Sequence, residues 1–166
     1  MKSTVAAIFS LLVVVLLQSY FFGAMRPLGV LPNLLLVMLT YLAMLRPASQ
    51  SLAVAILGGL LLDLISGTDF GLRMAFYSLF TLGVVMARQL GASLESFWSV
   101  VGLIAAGTVI YNLAVLGSLI IVRTEFSPLI AARLVAIELA FNLVFAALFG
   151  RAWRWLLKSA PEGLGA

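Results

Sequence analysis

Between Lys2 and Arg26 the chain places no charged residue, and long uncharged stretches closed by single charges recur from there to Gly150. A helix of about 20 apolar residues spans the hydrocarbon core of a bilayer, and the polar residues fall at roughly that interval. The composition agrees: 64% of the 166 residues are hydrophobic and 10% are charged, with a mean hydropathy of +1.21. A soluble domain carries about 25% charged residues to cover its outside. The chain is therefore expected to be all-α, a polytopic bundle of membrane helices, with membrane lipids as its first partners.

Division at charges, glycine and proline gives six apolar segments, at about 4–22, 30–45, 49–65, 72–87, 97–122 and 128–149. They predict six transmembrane helices in one integral domain, followed by a short basic tail at 150–166. The second and fourth segments are short for a complete crossing. Pro27, Pro32, Pro47, Gly67 and Gly71 mark helix ends, and Ser127 before Pro128 reads as an N-cap with proline in the first turn. The N-terminus resembles a signal peptide, but the spans behind it favour a retained first helix.

Basic residues set the expected orientation. With both termini cytoplasmic, the inner side holds Lys2, Arg46, Arg88, Arg151, Arg154 and Lys158 against Arg26, Arg73 and Arg123 outside, with Arg133 a fourth if counted. Trp153 and Trp155 among the basic residues of the tail read as an interfacial anchor. Scattered single charges are not a nucleic-acid surface, so no nucleic acid is expected despite the net charge of +4. Cysteine and histidine are both absent. That excludes disulfides, thiol nucleophiles and imidazole bases, and no metal or cofactor is expected.

Polar groups within the spans cost free energy and each calls for a reason. Ser51, Ala55, Gly59 and Asp63 follow one another at intervals of four, which places them on one helix face as a small-residue seam. Asp63 lies roughly 4 to 5 Å inside the end of its helix. Glu138 lies roughly 15 Å down a span of about 30 Å, the most central charge in the chain, with Asn142 on the same face. Arg133 lies about 140° away around that helix. Thr108, Tyr111, Asn112 and Ser118 share a broad face of the fifth segment, and Arg73, Tyr77 and Thr81 one of the fourth. The depths of Asp63 and Arg133 nearly coincide, so Asp63 is expected to accept a hydrogen bond from Arg133, or failing that from Arg73.

The stretches "PNLLLVMLTYLAMLRP" and "GGLLLDLISGTDFGLRMAFYSL" resemble the rod shape-determining MreD family. The matching positions are Pro32, Leu34, Tyr41, Gly59, Leu60, Asp63, Gly67, Gly71 and Leu72, about a third of the chain; Asn33 stands where that pattern has aspartate. The resemblance implies a six-span protein of the bacterial inner membrane that works in cell elongation and peptidoglycan synthesis. Its implied partners are the single-span MreC, MreB filaments, RodA and a class B penicillin-binding protein; self-association stays open. MreD-like proteins are distantly similar to the substrate-binding subunits of energy-coupling-factor transporters, which gives the rival expectation of a vitamin-binding subunit with Tyr77, Tyr111 and Asn112 lining a cavity. An intramembrane enzyme is disfavoured, because Asp63 near one face and Glu138 near mid-depth are poorly placed to share a substrate atom. The residues singled out as structural or partner-binding are Ser51, Ala55, Gly59, Asp63, Gly67, Gly71, Arg73, Arg133, Glu138 and Asn142.

Overall fold

The computed structural model describes residues 2–67, 71–92, 94, 96–121 and 127–158, with the backbone alone for 2–6, 119–121 and 151–158. Helix α1 (Lys2–Leu16) runs through a π-helical turn (Leu17–Phe21) into a short α2 (Phe22–Met25) and a 3-10 turn (Pro27–Gly29). Then follow α3 (Leu34–Leu45), α4 (Ala48–Ser66), α5 (Leu72–Gln89), α6 (Phe97–Ile121) and α7 (Pro128–Lys158). No strand occurs among the described residues. Among the described residues, four stretches are long and apolar enough to cross a membrane: Ala7–Met25, Ala48–Ser66, Phe97–Ser118 and Pro128–Gly150.

The two segments that look short in sequence differ for separate reasons. α5 has 18 residues, about 27 Å of helix, but Arg73, Arg88 and Gln89 at its ends dilute its apolar character. α3 has 12 residues and reaches only about 18 Å. Its predicted first residues, 30–33, are not helical: Val30 is extended, and Pro32 disfavours helix in the residue before it. Those four residues could add at most ~13 Å of extended chain to it, and α3 itself is a shorter apolar helix than the four that are long enough to cross.

α3 is the centre of the bundle. It packs against α1, α4, α5, α6 and α7, and every residue from Leu34 to Ala43 is buried. A helix enclosed on all sides needs no polar stripe, which is why this one reads as unbroken leucine, valine and methionine. α2 ends where Arg26 takes a left-handed φ of 35° and Pro27 cannot continue the helix.

Hydrogen bonds fix which helix ends lie together. The Arg88 Nη1 donates to the carbonyls of Met44 (3.2 Å) and Arg46 (2.8 Å), closing the C-terminus of α3 with the end of α5. Tyr41 Oη donates to the carbonyl of Ala146 at 3.1 Å, and a Cβ at Gly150 would overlap the Tyr41 phenol. Arg46, Arg88 and Gly150 thus share one end of the bundle. α7 runs on as helix to Lys158, 31 residues or about 46 Å, past the predicted boundary at 149. The anchoring role expected of Trp153 and Trp155 falls on side chains outside the described residues, and 159–166 lie outside them altogether.

Candidate functional site

At the opposite end, α4 stops at Gly67, whose φ of 64° is the left-handed conformation that ends helices, and α5 begins after Gly71, whose φ is 94°. Glycine at the N-cap brings no side chain to the unpaired amides of the first turn of α5. Asp63 supplies what is missing. Its Oδ2 accepts the N–H groups of Gly71 (3.0 Å) and Met74 (3.1 Å), and its Oδ1 accepts that of Arg73 (3.3 Å). The carboxylate is buried at 1% exposure and lies at the positive end of the α5 dipole. This corrects the expected pairing: Asp63 bonds to neither arginine side chain, and Arg133 is exposed on α7 with no hydrogen bond among the described residues.

The small-residue seam is likewise used within the chain. Ser51 and Ala55 are fully buried, and Ser51 Oγ bonds back to the carbonyls of Leu42 and Pro47. A Cβ at Gly59 would collide with the backbone of Met74 and stand 2.9 Å from the carbonyl oxygen of Arg73. The absence of a side chain at Gly59 lets the α5 backbone close on α4 and brings the first turn of α5 under the Asp63 carboxylate. The seam therefore admits α5 and is not free for a partner span.

From this corner a chain of polar contacts runs into the bundle. Arg73 donates from Nε to Tyr111 Oη (3.3 Å), and from Nη1 to the carbonyl of Leu62 (3.0 Å) and to Ser66 Oγ. The Tyr111 ring stacks on Tyr77 with centroids 6.1 Å apart and leans on Phe76 at 5.1 Å. Tyr77 Oη donates to Asn33 Oδ1 at 2.8 Å, while the Asn33 backbone N–H donates to Asn142 Oδ1 at 2.7 Å. Asn142 Nδ2 donates to Thr108 Oγ1 at 2.9 Å. Asn112 Nδ2 donates to the Thr108 carbonyl and to Glu138 Oε2, each at 2.9 Å.

The centre of this network is the start of α3, a short helix whose first amides lie inside the bundle. Irregular backbone at such a depth is tolerated where protein groups satisfy it. Here Asn142 takes the N–H of Asn33, Gln18 Oε1 takes that of Leu35 at 3.0 Å, and Asn33 Oδ1 takes that of Leu36 at 3.1 Å. Gln18 sits in the π-helical turn of α1, where the wider winding changes the face its side chain occupies. Two polar atoms of this interior are buried without a partner, Asn33 Nδ2 and Thr81 Oγ1.

Of the residues singled out from sequence, Asp63, Gly67, Gly71 and Arg73 form the corner, with Gly59 beside it. Glu138 and Asn142 join the network with Tyr77, Thr108, Tyr111 and Asn112, and Ser118 bonds only to its own helix at the carbonyl of Val115. Gln18 and Asn33 were not among the sequence-predicted site residues. A polar residue in an uncharged run was the available sign of the first, and Pro-Asn before a leucine run that of the second. No family model, curated protein or solved structure matches this chain.

Proposed function

We propose that this chain is a non-enzymatic assembly protein of the bacterial cell-elongation machinery. In this reading it crosses the inner membrane six times with both termini cytoplasmic and binds an MreC-like single-span protein, beside MreB, RodA and a class B penicillin-binding protein. The observation that carries the reading is where the family-like positions fall. Pro32 and Leu34 form the start of the central α3, Tyr41 ties α3 to α7, and Gly59, Asp63, Gly67 and Gly71 build the α4–α5 corner. These positions take part in the packing of α3, α4 and α5, so the resemblance falls on residues that bear contacts between helices. Most of the interior polar groups, Asn33 Nδ2 and Thr81 Oγ1 excepted, are engaged in bonds between helices, which supports an assembly role.

With the α4 seam filled, α6 offers the better docking face. Gly102 has no heavy atom within 4 Å of an added Cβ, and Ile110 and Leu113 are exposed farther along the helix. Close helix approach at such small residues is how spans associate in lipid. The test is co-purification from detergent with a co-expressed MreC-like protein. Gly102→Leu is expected to lower recovery of the partner while leaving the melting temperature of the chain alone unchanged. Undiminished recovery would remove α6 from the interface, and no recovery by the wild type would sink the reading.

A vitamin-binding subunit is the second reading, favoured by the convergence of Tyr77, Tyr111 and Asn112 in the interior. Native mass spectrometry separates the two. A retained small molecule would place this reading first.

A further inference from the structure

At the α3–α4 corner three buried donors lack acceptors among the described residues. Arg46 is 4% exposed, yet its Nε and Nη2 have no hydrogen-bond partner, and neither has the buried Nε2 of Gln50 one turn later. Between them begins α4, 19 residues long, with Pro47 as an N-cap that brings no side-chain acceptor. The adjacent Arg88 uses its Nη1 on the carbonyls of Met44 and Arg46, which closes α3 but leaves the Nε and Nη2 of Arg46 without a partner. Among the described residues, the unpartnered buried groups at this corner are all donors, beside two guanidinium charges and the positive end of a helix dipole. A buried, unpaired cation is costly, and its cost falls when an anion completes it.

We propose that this corner binds a phosphate-type oxyanion, supplied by the headgroup of an anionic phospholipid. The chemistry follows from the donors. Nε and Nη2 are the two parallel donors of one guanidinium edge, which match two oxygens of a phosphate. Gln50 and the first amides of α4 offer further donors to a third oxygen. The source follows from position. The apolar span Ala48–Ser66 starts two residues after Arg46, so the corner lies at the rim of the hydrocarbon slab, where headgroup phosphates are.

The experiment uses the full chain, delipidated in an uncharged detergent, with native mass spectrometry and thermal melting as readouts. The additions are phosphatidylglycerol, phosphatidylcholine with the same acyl chains, glycerol phosphate and inorganic phosphate. Wild type is expected to retain phosphatidylglycerol and to melt higher with it. Arg46→Gln should lose about tenfold in that retention, the loss of a charge-assisted pair, whereas Arg133→Gln should keep it. If inorganic or glycerol phosphate protects as well as the lipid, the oxyanion site stands and the lipid source is overturned. Equal retention of the two lipids by wild type, or of phosphatidylglycerol by wild type and Arg46→Gln, overturns the proposal. Should Arg46→Gln fail to fold, Gln50→Leu decides: retention must fall several-fold, and unchanged retention overturns the site.

Discussion

Asp63 has a task that its position in the chain half discloses. An aspartate near a helix end, followed by two glycines, marks a turn, and the sequence places Asp63 within a turn of that end. What it bonds to depends on how residues 67 and 71 fold the chain back, because the carboxylate reaches amides eight, ten and eleven residues ahead. Asp63→Asn is expected to destabilise the protein by about 1 to 3 kcal/mol, since an amide has one acceptor oxygen for three amides and turns a donor toward the helix N-terminus. Arg133→Gln should change the melting temperature little, as an exposed arginine near a helix end extends toward water. The two effects should add within about 0.5 kcal/mol in a double-mutant cycle of thermal unfolding in detergent. A larger coupling would show that the residues meet.

Helix by helix, the elements correspond to the six apolar segments, because each is bounded by proline, glycine or charge whose local effect on the backbone does not depend on the rest of the fold. The interior of a segment is less readable. Gly58 and Gly59 look alike in sequence, but Gly59 faces backbone and Gly58 the side chains of Leu11 and Leu35. Gly59→Ala should therefore cost about 1 to 3 kcal/mol by forcing α4 and α5 apart. Gly83→Ala, in open space on α5, should be neutral or stabilising by up to about 1 kcal/mol, because alanine favours helix over glycine. Melting of the two variants side by side checks both, and a tolerated Gly59→Ala would show the helices to be less closely packed than described. The π-helical turn around Gln18 and the extended residues before α3 left no trace in hydrophobic periodicity, since both serve contacts between distant parts of the chain.

For the molecule as a whole, the absence of native cysteine allows single cysteines to report which ends lie together. Gln89→Cys and Ala92→Cys are expected to label from one side of sealed vesicles and Ser127→Cys from the other. Labelling of all three from one side would contradict the arrangement in which Arg46, Arg88 and Gly150 share an end. Sequence by itself determined that the chain is helical and built for lipid, roughly where its six apolar segments lie although not the start of α3 or the end of α7, and that Asp63, Glu138 and Asn142 needed partners. These follow from length, hydropathy and the local geometry of proline and glycine, which act over a few residues. Only the tertiary structure decided that α3 is the enclosed centre, that α5 fills the seam of α4, and that Asp63 caps a helix while Arg133 stays exposed. Each of those choices is made between residues far apart in the chain, where packing of helix faces selects among partners that local sequence leaves equivalent.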